Sequence, residues 1–117
     1  MSTGDQAHQR SFFRAGVDFP TTVIVPGGEL VLIGRAIDLS GGGMRVATAS
    51  ELPPGQAVVL RFALPGSDRE MLLRGKVVLS FYDGTRREYA HGVVFTQYAQ
   101  PDQDEIVAYI HDLQKQS

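Results

Sequence analysis

The chain has 117 residues, 43% of them hydrophobic and 21% charged, the size and composition of one ordinary globular domain. It holds no cysteine, which excludes a disulfide scaffold, a thiolate zinc site and a cysteine nucleophile together. Eleven Lys+Arg against thirteen Asp+Glu leave a formal charge of −2, the wrong sign for a domain that coats a long polyanion.

Residues 1–9 are polar and read as a flexible arm, with residues 10–117 forming a single domain. The opening MSTGDQAHQR lacks the apolar stretch of a secretory signal, and no apolar run reaches the length of a bilayer span, so a cytoplasmic chain without membrane insertion is expected. From Val17 the pattern turns β-like. VDFPTTVIV ends at Pro26-Gly27-Gly28 and resumes as ELVLIGRAID, a hairpin in which Pro20 marks an edge or a bulge. MRVATA is a third strand, and SELPPGQ is a loop by its Pro-Pro-Gly punctuation. VVLRFAL, MLLRGKVVLSFY and YAHGVVFTQY follow as the fourth, fifth and sixth strands, separated by PGSD and DGTRRE. Six strands at such short spacing, with turn signals between them, predict a mainly β fold, an antiparallel barrel or sandwich. The chain ends differently, with a helix expected from about Asp102 to Lys115. Asp102 and Glu105 have capping-box spacing, and Ile106, Tyr109, Ile110 and Leu113 recur as one apolar stripe to lay on the barrel.

Two stretches suggest more than scaffolding. In Gln9-Arg10-Ser11-Phe12-Phe13-Arg14, two arginines flank a pair of aromatics able to tether the segment. Both guanidinium groups fall on the same side of the chain, extended or helical, although a solvated arm explains the residues equally simply. In Ile37-Asp38-Leu39-Ser40-Gly41-Gly42-Gly43-Met44-Arg45-Val46, a strand runs into a glycine turn and out again. Such a turn lets backbone approach a ligand and can present N–H groups to an anion. Asp38 and Ser40 add an acceptor and a hydroxyl, though Asp and Ser often bond their own turn. No Gly-Lys-Ser/Thr follows, so this is not a nucleotide-triphosphate loop.

Together the stretches are far more specific. R-x-x-x-R at Arg10–Arg14, followed by D-x-S-x-x-G at Asp38–Gly43, resembles the PilZ family, and the likeness extends through His91-Gly-Val-Val-Phe95 and the terminal helix. The resemblance implies a six-stranded antiparallel β-barrel with a C-terminal α-helix. It also implies a bacterial receptor that binds cyclic di-GMP on the barrel's outer face through Arg10, Arg14, Asp38, Ser40 and Gly43, with no catalysis and no cofactor. Arg10 and Arg14 are suited to grip phosphate oxygens, to read guanine O6 and N7, or to stack on a purine. Asp38 is suited to accept from guanine N1–H and the exocyclic amine, Ser40 adds a hydrogen bond, and Gly43 leaves room for a base. Binding would order the arm and present a new surface to a protein partner in a motility, exopolysaccharide or pilus pathway.

Other readings are weaker. There is no G-x-S-x-G elbow, and His8, His91 and His111 lie in separate elements, so neither an enzyme nor a metal site is expected. His91 and His111 would at most meet in barrel–helix packing. An oligonucleotide-binding barrel would want a basic groove with interleaved aromatics, and binding to a nucleic acid polymer is not expected. The main rival is a PilZ-like adaptor that does not bind nucleotide. Gln9 stands where many relatives carry another Arg, which bears on whether one ligand or a stacked pair binds. Phe81 is read as core, with stacking on guanine as its alternative.

Overall fold

The structure, a computed structural model, describes residues 14–28 and 30–116. Six strands follow one another: β1 (Ala15–Val25), β2 (Leu30–Ser40), β3 (Gly43–Thr48), β4 (Ala57–Ala63), β5 (Glu70–Asp83) and β6 (Glu88–Gln97). They close into an antiparallel barrel in the order β1-β2-β3-β6-β5-β4. Helix α1 (Gln100–Lys115) completes the fold. The expected arm, Arg10 and Gln9 lie outside the described residues.

Alternation builds the barrel. On β4, Val58, Leu60 and Phe62 are buried while Arg61 is exposed; on β5, Met71, Leu73 and Val77 point in while Leu72, Arg74 and Lys76 point out. Period-two burial of this kind is what one solvated sheet face and one packed face require. Phe19 of β1 and Phe62 of β4 meet inside with ring centroids 5.6 Å apart. The β1–β4 seam is the narrowest pairing, Thr22–Ile24 against Val59–Arg61. Pro20, which has no N–H to give, sits just outside that seam and just after a register shift between Gly16 and Phe19.

Bulges decide which side chains face outward. A bulge admits one extra residue and reverses the alternation beyond it. In β2 the register shifts between Ala36 and Asp38. Ala36 and Leu39 are both fully buried, so Asp38, which shares Ala36's parity, stands outside the core. In β5 the shift lies between Val77 and Leu79. Val77 is buried, whereas Val78, Leu79 and Phe81 are exposed. This overturns the core reading of Phe81, because one extra residue carried it to the opposite face. Further shifts lie beside Pro20 in β1 and between Arg74 and Gly75 in the β5–β6 ladder.

Helix α1 covers one end of the barrel with Ile106 and Ile110, both buried in the main core cluster, and Tyr109 packed against its margin. It begins earlier than the sequence suggested. Ala99 is the N-cap residue without a side-chain cap bond, and Pro101 occupies the first turn, where a missing N–H costs nothing. Asp102 therefore lies inside the helix, and its expected capping box with Glu105 does not form. Both carboxylates instead bind Arg69, Asp102 Oδ1 at 2.7 Å and Glu105 Oε1 at 2.7 Å from its Nη2. Among the described residues, no helix is long and apolar enough to cross a membrane.

Candidate functional site

Antiparallel pairing of β1 with β2 sets Ala15 opposite Leu39 and Gly16 opposite Asp38. This brings Arg14, at the start of β1, to the end of β2. Arg14 Nη1 donates to Asp38 Oδ1 at 2.7 Å, with the two side chains 54% and 20% exposed. Two residues 24 apart in sequence, one from each motif, are thus in direct contact on the outer surface.

The turn between β2 and β3 satisfies itself. Ser40 is buried; its hydroxyl accepts from the Gly42 N–H at 3.2 Å and donates to the Gly43 carbonyl at 3.3 Å. The Gly42 carbonyl accepts from the Phe95 N–H at 2.9 Å, and the Gly41 carbonyl from Gln103 Nε2 on α1 at 3.2 Å. Ser40 therefore braces the turn that supports Asp38, as the plainer reading of its sequence allowed. Gly43 has a reason internal to the fold: a Cβ there would collide with the Val93 carbonyl of β6, so β3 and β6 can approach only over a glycine.

From Asp38 the outer face continues across the sheet. Asp38 lies opposite Arg45 of β3, Arg45 opposite Gly92 of β6, and Gly92 opposite Leu79 of β5. Directly opposed residues share a face, so these form one row. A second row runs from Arg35 through Ala47 and Ala90 to Phe81. Two concavities occupy this surface. A groove of about 230 Å³ is lined by Arg14, Arg45, Leu79, Gly92 and Val94 among others. A trough of about 400 Å³ lies between Arg35 and Phe81, with Arg45, Arg86, Asp18 and Glu88 around it. Arg35 Nη2 is held by Glu88 Oε2 at 2.6 Å. The motifs alone did not disclose Arg35, Arg45 and Phe81. Parity failed only at Phe81, beyond the β5 bulge, whereas Arg45 alternates normally between buried Met44 and Val46; on β2 the available signal was a charged Asp38 at a position whose parity pointed inward.

His91 and His111 share no hydrogen bond among the described residues. His91 is fully buried, accepting from the Leu52 N–H at Nε2 (3.0 Å) and lying 3.3 Å from the Val46 carbonyl at Nδ1, while His111 is exposed on α1. Desolvation pushes the His91 pKa below its ordinary value, against the smaller opposing effect of the Val46 carbonyl. Accepting through Nε2 and donating through Nδ1 is the work of a neutral imidazole, so His91 is a packing residue. No cluster of three or more metal-ligating side chains occurs among the described residues.

Comparison with known proteins agrees with this architecture. Among solved structures, the Bacillus subtilis inhibitor of motility MotI/DgrA superposes with a TM-score of 0.80 at 17% identity, over 91% of this chain and 51% of that one. The chain thus spans about half the length of that protein. The PilZ domain of Escherichia coli YcgR, solved with c-di-GMP, gives 0.65 at 15% identity over 90% and 91%. A tetrameric PilZ domain protein from Xanthomonas campestris gives 0.69 at 14% identity over 99% and 98%. No curated protein matches by sequence. The PilZ domain family model matches residues 8–112, nearly the whole barrel and helix together with both motifs, and the chain belongs to the PilZ domain family.

Proposed function

We propose that this chain is a cytoplasmic receptor for cyclic di-GMP, which it binds on the outer face of the barrel where β1, β2 and β3 meet. The observation that carries the reading is the Arg14–Asp38 contact, which joins the two signature motifs at one point of the surface. A ligand with two phosphates and two guanines offers each partner something better. Phosphate oxygens draw Arg14 into a charge-assisted bond, and the released Asp38 carboxylate accepts from guanine N1–H and the exocyclic amine. One exposed ion pair is thereby exchanged for contacts in which both charges bind ligand. Ser40 and Gly43 act behind this surface, holding the turn and letting β3 close on β6. Arg10 takes the second guanidinium role by its place in the motif, and Phe81 offers an exposed ring for a purine face. The output is a changed surface read by a protein partner in a motility, exopolysaccharide or pilus pathway, with the nucleotide unaltered. The c-di-GMP named with the YcgR PilZ domain supports this reading.

A second reading has an observation of its own. Arg14 and Asp38 already satisfy each other, and Ser40 is spent within its turn, as befits an adaptor that needs no nucleotide. Isothermal titration with cyclic di-GMP separates the two. A receptor gives saturable heat below about 100 μM, a concentration that fills a 1 μM site. Absence of heat and of competition with a labelled ligand at that concentration rejects the receptor and leaves the adaptor.

A further inference from the structure

Arg45 belongs to neither signature motif, yet the fold places it at the centre of the binding face. It stands opposite Asp38 on one side and Gly92 on the other. It lines both the groove that begins at Arg14 and the trough between Arg35 and Phe81. Gly16, opposite Asp38 in the same row, likewise contributes no side chain, so Asp38 and Arg45 stand side by side between two bare stretches of backbone. Arg14 and Arg35 are each bound to a carboxylate. Arg45 has no ion pair among the described residues, and its Nε is buried without a hydrogen-bond partner. A buried donor left unpaired is unusual in a folded protein, and with no acceptor holding its Nε the Arg45 side chain can turn outward to meet a ligand.

We infer that Arg45 is a specificity-determining residue that reads guanine, donating to O6 and N7 of the base whose N1–H and amine are taken by Asp38. The inference rests on the proposed receptor function and deepens it. Guanine presents acceptors at O6 and N7 and donors at N1 and N2, and a guanidinium beside a carboxylate presents the opposite pattern. Opposed residues of neighbouring antiparallel strands lie about 4.5–5.5 Å apart at Cα, close enough for both to reach one base. Adenine carries an amine where guanine carries O6 and has no N1–H, so it would confront Arg45 with a donor and Asp38 with an acceptor. The Asp38–Arg45 pair thus selects guanine, while Arg14 grips phosphate.

The test compares cyclic di-GMP with its 7-deazaguanine analogue, which lacks the N7 acceptor, for the parent chain, Arg45→Ala and Arg45→Lys. The parent should bind the analogue more weakly than cyclic di-GMP. Arg45→Ala should lose about 5- to 150-fold in affinity for cyclic di-GMP, the range of one bidentate base contact, and should bind both ligands alike. Arg45→Lys keeps the charge but not the fork, and should recover part of the affinity without the preference. All three should melt at similar temperatures without ligand. If Arg45→Ala binds cyclic di-GMP like the parent, or still discriminates against the analogue, the assignment to Arg45 is overturned and the receptor reading stands. If the parent binds neither ligand, both fall.

Discussion

Arg14 and Asp38 form an exposed ion pair that need contribute little to stability, even if the proposed binding depends on it. With Arg14 more than half exposed, water screens the pair, and such contacts are typically worth about 0–1 kcal/mol to a fold. Arg14→Ala should therefore leave the melting temperature of the ligand-free protein almost unchanged. Against a bound dinucleotide the same truncation leaves an anionic group unpaired, a cost of about 2–5 kcal/mol at partly buried charge pairs. Titration calorimetry and a thermal melt on one sample of Arg14→Ala check both halves. Equal affinity in variant and parent would remove Arg14 from the site. Buried His91 carries a different prediction. Its folded pKa lies below that of the unfolded chain, so the unfolded state takes up the proton first and stability must fall as pH drops. Above an ordinary histidine pKa of about 6.5 the His91 contribution is fully present. Below it, stability falls towards the lower folded pKa by at most about 1.4 kcal/mol per pH unit. Urea unfolding at several pH values between 7.5 and 5.5 measures this, and a flat profile would contradict it.

At the scale of elements, helix α1 serves the barrel. Ile106 and Ile110 are buried in the main core while Arg69 clasps Asp102 and Glu105 from the outside. Ile110→Asp forfeits about 1.5–3 kcal/mol of apolar burial and adds a charge to be desolvated. For a domain of this size the melting temperature should fall by more than about 10 °C. A variant that melts like the parent but no longer binds ligand would show that the helix belongs to the site instead. Asp102→Ala should leave the helix start intact, since Ala99 holds the cap position. An unchanged helical circular-dichroism signal checks this. The six strands and the helix were legible because alternation and the Ile106–Ile110 stripe are written directly in the sequence. The outward faces of β2 and β5 were not, because a bulge adds one residue without any mark in composition. Phe81 was misread for that reason, whereas Asp38 was found because a motif, not its parity, singled it out. The helix start was misplaced because Asp102 is equally fit for a cap and for a partner to Arg69.

At the scale of the whole molecule, closure of the sheet makes the site and the fold one unit. A closed barrel has no free edge to fray, and the proposed site spans β1, β2 and β3, whose pairings hold half of the barrel wall. Unfolding that separates these strands must also release the ligand, so binding should appear in full as stability. At a ligand concentration a hundred times Kd, linkage adds about 2.7 kcal/mol, which for a domain of this size raises Tm by about 10 °C. Cyclic di-GMP should therefore shift the melting curve of the parent upward without broadening it, and the shift should grow with the logarithm of ligand concentration. Asp38→Ala should lose the shift, because the guanine donors then face no carboxylate. The shift should also shrink as salt is added, since exposed charges are screened over about 10 Å at 0.1 M. A shift of equal size in Asp38→Ala would mean that cyclic di-GMP binds elsewhere on the barrel.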